Sequence, residues 1–126
     1  MITGIEHFGV YCKDTKAVAQ WYCDTFGMEI ALDTGRGIYF IKAPDGSMLE
    51  ICPMDEALEP QGRATQGLRH IALSIEPQDY EMMTQRIRDQ GLEILAETPE
   101  GANPRTFFFR DIEGNIVHFI YRDKPL

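Results

Sequence analysis

The sequence predicts an α+β fold in which two tandem βαβββ modules make up a single domain of 126 residues. Three observations carry that prediction. The order of hydrophobic periodicities is strand, helix and three strands, and it occurs twice. A histidine recurs in the opening strand of each copy, as His7 and His70. Near the end of the first copy, Asp45-Gly46-Ser47-Met48-Leu49-Glu50 is matched in the second by Glu113-Gly114-Asn115-Ile116-Val117-His118, which aligns Glu50 with His118.

The elements follow in order. Ile5 to Cys12 alternates in polarity and reads as a strand. Asp14 to Phe26 has helical spacing at Val18, Trp21, Tyr22 and Phe26, with Asp14 as N-cap and Gly27 as C-cap. Strands near Met28 to Leu32, Ile38 to Lys42 and Met48 to Cys52 are separated by turn signals at Asp33-Thr34-Gly35 and Pro44-Asp45-Gly46. This is module one, about residues 1–53. A connector over 54–66, rich in Glu, Gln, Pro and Gly, leads to module two, about 67–126. Here a strand from Leu68 to Ile75 precedes a helix from about Gln78 to Gln90 closed by Gly91. Strands near Leu92 to Ala96, Arg105 to Arg110 and Asn115 to Arg122 complete it.

Composition narrows the function classes. An apolar content of 44% supplies one core. A formal charge of −8 with no basic cluster argues against nucleic acid and anionic membranes as partners. The N-terminus lacks the pattern of a signal peptide, and no apolar run is long enough to span a bilayer, so the expectation is a cytoplasmic protein acting on a small molecule. Cys12, Cys23 and Cys52 are odd in number and form no Cys-x-x-Cys pair, which fits reduced thiols.

Strand parity then gathers the polar residues. Side chains alternate across a strand, so Phe8 and Val10 oppose His7, Gly9 and Tyr11, and Ile71 and Leu73 oppose His70, Ala72 and Ser74. In the closing strands, Leu49 and Ile51 oppose Glu50 and Cys52, and Val117 and Phe119 oppose His118. With the apolar set packed on the helices, His7, Glu50, His70 and His118 share the other face. Imidazole nitrogen and carboxylate oxygen suit zinc, nickel, iron, cobalt or manganese, and a buried Glu50 needs a cation or hydrogen bonds. A lone strand histidine is more often structural than a ligand, but all three histidines of this chain occupy repeat-related strand positions. The expectation is one divalent metal, zinc or nickel ahead of the others, held by these four residues.

Ile-Glu-His-Phe-Gly-Val, Met-Leu-Glu-Ile, Leu-Arg-His-Ile-Ala-Leu and Arg-Asp-Ile-Glu-Gly-Asn-Ile-Val-His-Phe, set on the repeated βαβββ frame, resemble the vicinal-oxygen-chelate superfamily over nearly the whole chain. That superfamily includes glyoxalase I, methylmalonyl-CoA epimerase, extradiol dioxygenases and fosfomycin- and bleomycin-resistance proteins. The resemblance implies a curved mixed sheet around a metal cavity, metal ligands at His7, Glu50, His70 and His118, and a homodimer whose metal sites are often shared between subunits. The pattern departs in two places. The last ligand position is most often Glu and here is His118, and the positions that hold glutathione in bacterial glyoxalase I are Tyr11 and Met54 here, which counts against glutathione.

The reaction expected first is that of a glyoxalase-I-like lyase or isomerase working through a metal-stabilised enediolate, with Glu50 as the catalytic base. An iron-dependent ring-cleaving dioxygenase and a non-catalytic, resistance-type binding protein are the alternatives. Cys52 shares parity with Glu50 and reads as cavity wall rather than nucleophile. Arg63, Arg69 and Arg105 are either solvated surface groups or contacts for an anionic substrate. Residues 99–104, rich in Gly and Pro, form either a flap or a plain turn. Among Phe107, Phe108 and Phe109, alternate rings should face core and cavity.

Overall fold

The computed structural model describes residues 1–126 as two compact units, Met1–Leu58 and Glu59–Leu126. In the first unit the order is β1 (His7–Cys12), α1 (Thr15–Phe26), β2 (Glu29–Asp33), β3 (Tyr39–Lys42) and β4 (Met48–Pro53). In the second it is β5 (Ile71–Ser74), a single 3₁₀ turn (Pro77–Asp79), α2 (Tyr80–Asp89), β6 (Ile94–Glu97), β7 (Arg105–Arg110) and β8 (Ile116–Tyr121). Each unit is therefore a βαβββ module, as its periodicity predicts. None of the helices is long and apolar enough to cross a membrane.

The sheets are mixed and identically ordered: β1-β4-β3-β2 in one unit and β5-β8-β7-β6 in the other. The first and last strands of each module run parallel, and the remaining neighbours are antiparallel. Parallel neighbours need a crossover connection, which the helix and the two intervening strands provide. Even the irregularities repeat: the ladder shifts register between Ile30 and Leu32 in one module and between Ile94 and Ala96 in the other.

Helix α1 starts where Asp14 accepts a hydrogen bond from the Ala17 amide at 3.0 Å, and it ends on Gly27, whose φ of 70° is the left-handed conformation expected of a C-cap glycine. The helix lies over β3 and β4 and buries Val18, Ala19 and Tyr22, while Ile41, Leu49, Ile51 and Cys52 are the buried apolar side chains of those strands. In the second unit Phe107, Phe109, Val117 and Phe119 are fully buried, and Tyr80 and Ile87 are the buried apolar residues of α2. Alternate rings of the phenylalanine run do part company, since Phe107 and Phe109 are buried and Phe108 only partly so.

Two expectations are corrected. Phe8 is 45% exposed rather than packed under the helix, and Ile71 and Leu73 are only half-buried. These residues lie on the edge strands β1 and β5, and in the first unit α1 packs mainly on the inner strands β3 and β4. The strand expected from Leu68 shortens to Ile71–Ser74: its ladder with β8 begins at the Ile71–Val117 pair, so His70 sits one residue ahead of it. Residues 99–104 form the β6–β7 turn, in which the Ala102 amide donates to the Pro99 carbonyl at 3.1 Å and Asn103 to Pro104 is a cis peptide.

Replacing Asp14 by Ala should lower unfolding free energy by about 1 kcal/mol, the cost of an unsatisfied helix start. Phe119→Ala should cost about 3–5 kcal/mol, because it opens a cavity among fully buried rings. Urea titrations followed by circular dichroism check both values and their order.

Candidate metal centre

Two short turns set the phase of the strands that carry the last donor of each module. Asp45 Oδ1 accepts from the Ser47 amide at 3.0 Å and from its hydroxyl at 2.7 Å, and these bonds hold the Asp45 carboxyl below its ordinary range. Asp111 Oδ1 accepts from the amides of Glu113 and Asn115 at 2.9 and 3.0 Å. Gly46 and Gly114 both stand at φ 91°, a conformation that favours glycine. Four residues beyond each glycine comes the donor, Glu50 or His118.

In the first unit the parallel register pairs His7 with Met48 and Gly9 with Glu50. His7 Nε2 then lies 3.2 Å from Glu50 Oε2, while His7 Nδ1 lies 3.3 Å from the Glu6 carboxylate. Both site side chains are partly exposed, at 32% and 26%. Phe40, the partner of Glu50 across β3, meets the His7 ring edge-on at 5.3 Å. Tyr11 bends back over the bare Gly9, with its Cε2 3.6 Å from where a Cβ on Gly9 would lie. The Tyr11 phenol is held protonated to higher pH than usual, chiefly by the neighbouring Cys52 and also by Glu50. The Cys52 thiol is pushed up as well, by burial and by the Glu50 charge, so it is a weak nucleophile at neutral pH.

In the second unit the same positions carry a different pair. The His70 and His118 rings meet edge-to-face with centroids 4.8 Å apart. Phe108, opposite His118 across β7, stacks on it at 4.1 Å with an interplanar angle of 3°, and meets His70 edge-on at 5.7 Å. His118 is 4% exposed, and its Nδ1 is buried without a hydrogen-bond partner. Burial lowers its pKa, helped by the neighbouring His70 and Arg63, so the ring stays neutral with a lone pair to offer.

The four expected donors thus come as two pairs, one within each unit, and no group of three or more His, Cys, Asp or Glu side chains able to hold an ion comes together. The first pair has a donor separation that one ion could span. Donors about 2.1 Å from an ion stand about 3.0 Å apart at a right angle and about 3.4 Å apart at the tetrahedral angle. The observed 3.2 Å between His7 and Glu50 lies between them. A buried nitrogen left unpaired costs about 1–3 kcal/mol, which a ligand at His118 would relieve.

The other polar expectations resolve individually. Arg105 is buried, pairs with Glu97 at 3.3 Å and covers the Tyr80 ring at 4.4 Å, so it belongs to the docking of α2 and not to substrate. Arg69 is part-buried and folds back on Gly67. Arg63 lies over Phe108, 4.7 Å from the ring centroid. Phe40 was not legible as a site residue from parity alone, although it precedes Glu50 by the same offset that separates Phe108 from His118.

Comparison with known proteins places the fold. The family model described as the Glyoxalase/Bleomycin resistance protein/Dioxygenase superfamily matches residues 4–119. No protein of curated function matches the sequence. Among solved structures, a mutant of the fosfomycin resistance protein FosX from Listeria monocytogenes, complexed with Mn(II) and 1S,2S-dihydroxypropylphosphonic acid, is similar with a TM-score of 0.77 and 24% identity, over 95% of this chain and 90% of that one. A glyoxalase/dioxygenase from Nostoc punctiforme gives 0.80 at 19% identity, over 97% and 92%. FosX from Mesorhizobium loti gives 0.74 at 18%, over 95% and 92%. At these identities the structural likeness speaks for the glyoxalase-like fold.

The lowered His118 pKa has a measurable sign. The unfolded chain takes up this proton near the ordinary value of 6.5 and the folded chain only at lower pH, so between the two the unfolded state binds more protons. Stability of the metal-free protein should therefore fall as pH drops below about 6.5. Denaturant midpoints compared at about pH 7.5 and about pH 5.5 should show a smaller loss in His118→Asn than in the wild type.

Proposed function

The chain belongs to the Glyoxalase/Bleomycin resistance protein/Dioxygenase superfamily, and on that premise we propose that it is a metal-dependent enzyme of the vicinal-oxygen-chelate type, a glyoxalase-I-like lyase or isomerase that moves a proton on a small oxygenated substrate. The observation that carries this reading is the repeat-related placement of two donor pairs, with His7 Nε2 3.2 Å from Glu50 Oε2 and the His70 and His118 rings in edge-to-face contact. His7, Glu50, His70 and His118 would hold one divalent metal, with the two pairs supplied by one chain or by the two subunits of a homodimer. A nitrogen-rich set with one carboxylate suits zinc or nickel, and iron, cobalt and manganese remain within its range. The FosX structure from Listeria monocytogenes holds Mn(II), which supports a divalent ion in this fold.

When bound, such an ion supplies Lewis-acid stabilisation of charge developing on adjacent substrate oxygens. Glu50 turns Oε2 toward His7, which leaves Oε1 to take a proton from the carbon beside a substrate carbonyl and return it to the neighbouring carbon. Tyr11, with its phenol proton firmly held and its ring folded over Gly9 opposite Glu50, is placed to donate a hydrogen bond to a substrate oxygen. Phe40 and Phe108 fix the planes of His7 and His70 by edge contacts. The ring-cleaving alternative calls for two histidines and one carboxylate, and the third histidine counts against it.

Elemental mass spectrometry of untagged protein should find about one transition metal per chain, and His70→Ala and His118→Ala should each lose it. Absence of metal from the wild type, and failure to take up zinc, nickel or iron, would leave a ligand-binding member of the family. In metal-loaded protein, the hemithioacetals of methylglyoxal with glutathione and with a smaller thiol should exchange their carbon-bound hydrogen with deuterated solvent. Glu50→Gln should slow that exchange by about 10²-fold or more.

A further inference from the structure

We propose that Phe108 is the positioning residue of the histidine pair in the second unit, a side chain that fixes the planes of His118 and His70 together and so prepares both imidazoles to bind an ion. This rests on the metal reading above and deepens it by assigning the group that orients two of the donors.

An imidazole needs such a group because its outer torsion lies in a broad, roughly two-fold well, so the backbone alone leaves the ring free to turn. A ligating histidine is commonly oriented by a hydrogen bond from its second nitrogen. The Nδ1 edge of His118 has no such bond, although the residue is only 4% exposed. What meets this ring is the face of Phe108, at 4.1 Å between centroids and within 3° of parallel. A ring clamped face-on can slide in its plane, but it cannot tilt without losing that contact. His70 is exposed and stands one residue outside the β5 ladder, so its strand does little to hold it. Its ring is met edge-on by Phe108 at 5.7 Å and 89°, and by His118 at 4.8 Å and 86°. The three rings close a triangle of contacts in which Phe108 touches both imidazoles.

The position of Phe108 on β7 explains why it can do this and its neighbours cannot. Phe108 is the antiparallel partner of His118, so the two side chains leave the sheet on the same face. Phe107 and Phe109 leave on the other face and are fully buried, whereas Phe108 is half-buried. Core packing thus accounts for the two flanking rings and not for the middle one. In the first unit the repeat-related Phe40, opposite Glu50, makes an edge contact with His7 at 5.3 Å. Replacement of the carboxylate by an imidazole at the repeat-related position is what adds a flat partner for the phenylalanine face.

Zinc affinity of the full-length protein, measured by competition with a chromophoric chelator, tests the assignment. Phe108→Leu keeps an apolar side chain without a flat face and should weaken zinc binding by about tenfold or more, whereas Phe108→Tyr keeps the face and should stay within about twofold of wild type. Phe107→Leu thins the same strand on its core side, so it should lower the denaturant midpoint yet leave zinc affinity within about twofold. In the metal-free wild type, the carbon-bound ring protons of His118 should resonate upfield of those of an ordinary histidine, the mark of an aromatic face above them, and should move downfield in Phe108→Leu. Zinc affinity unchanged in Phe108→Leu, lost equally in Phe107→Leu or not recovered in Phe108→Tyr overturns the proposal while the metal reading stands. Ordinary positions for the His118 ring protons in the wild type overturn it even where a variant fails to fold. A wild type that binds no zinc overturns the metal reading and this inference together.

Discussion

The parallel pairing of the first and last strands of each module is the constraint on which the rest depends. Donors far apart in sequence, His7 and Glu50 or His70 and His118, meet because the chain must cross over through a helix and two strands before it can lay its last strand beside its first. The register of that pairing is set by a two-residue alternation, so a slip of one residue would turn Glu50 and His118 toward the helices and bring apolar side chains to the site. The Asp-anchored glycine turns before β4 and β8 fix the phase in both modules. Burial of Leu49, Ile51, Val117 and Phe119 on the opposite face holds it there, since each such side chain contributes about 1.5–3 kcal/mol when removed from water.

On this shared skeleton the modules secure their helices differently. The aromatic face of α1 is a cluster of Trp21, Tyr22 and Phe26 in edge-to-face contact, a purely packed arrangement. Helix α2 is tied to its sheet by a polar network: the Tyr80 hydroxyl donates to Glu97 at 2.9 Å, and Glu97 also pairs with Arg88 and Arg105. Burial and the Glu97 charge drive the Tyr80 phenol well above its ordinary pKa, so it remains a donor at every physiological pH. Because Arg105 neutralises Glu97 inside unit two, it is removed from the pool of cations a substrate could meet. Arg63, over the Phe108 ring, and Arg69, next to His70 in the chain, are without such an ion pair.

Most of the frame was legible in the sequence because it is written in local signals. Strand and helix periods, Asp14 and Gly27 at the ends of α1, and the matched Asp-Gly and Glu-Gly turns all act over a few residues, and all appear in the structure. Parity likewise put Glu50 and Cys52 opposite Leu49 and Ile51. What escaped depends on neighbours distant in sequence. Edge position exposes Phe8, the ladder of β5 with β8 begins one residue after His70, and an ion pair with Glu97 turns Arg105 into a structural residue. Phe40 was missed because its role exists only across a ladder, where it faces Glu50 and touches His7. Arg63 was one of three undifferentiated arginines until the Arg110 to Gln61 bond tied its turn to β7.

The exchange of a carboxylate for an imidazole between the repeat-related positions follows from where the two donors lie. Glu50 keeps about a quarter of its side chain in solvent and has His7 beside it, so its charge is tolerable before any metal arrives. His118 is nearly sealed, with an aromatic ring stacked flat on it and Arg63 beyond that ring. A carboxylate in that place would lose hydration on folding, a cost of several kcal/mol that only a bound cation or a rebuilt set of hydrogen bonds would offset. Neutral imidazole escapes most of that cost and still presents a nitrogen donor. A neutral, nearly sealed His118 is thus compatible with a second unit that folds without any bound cation.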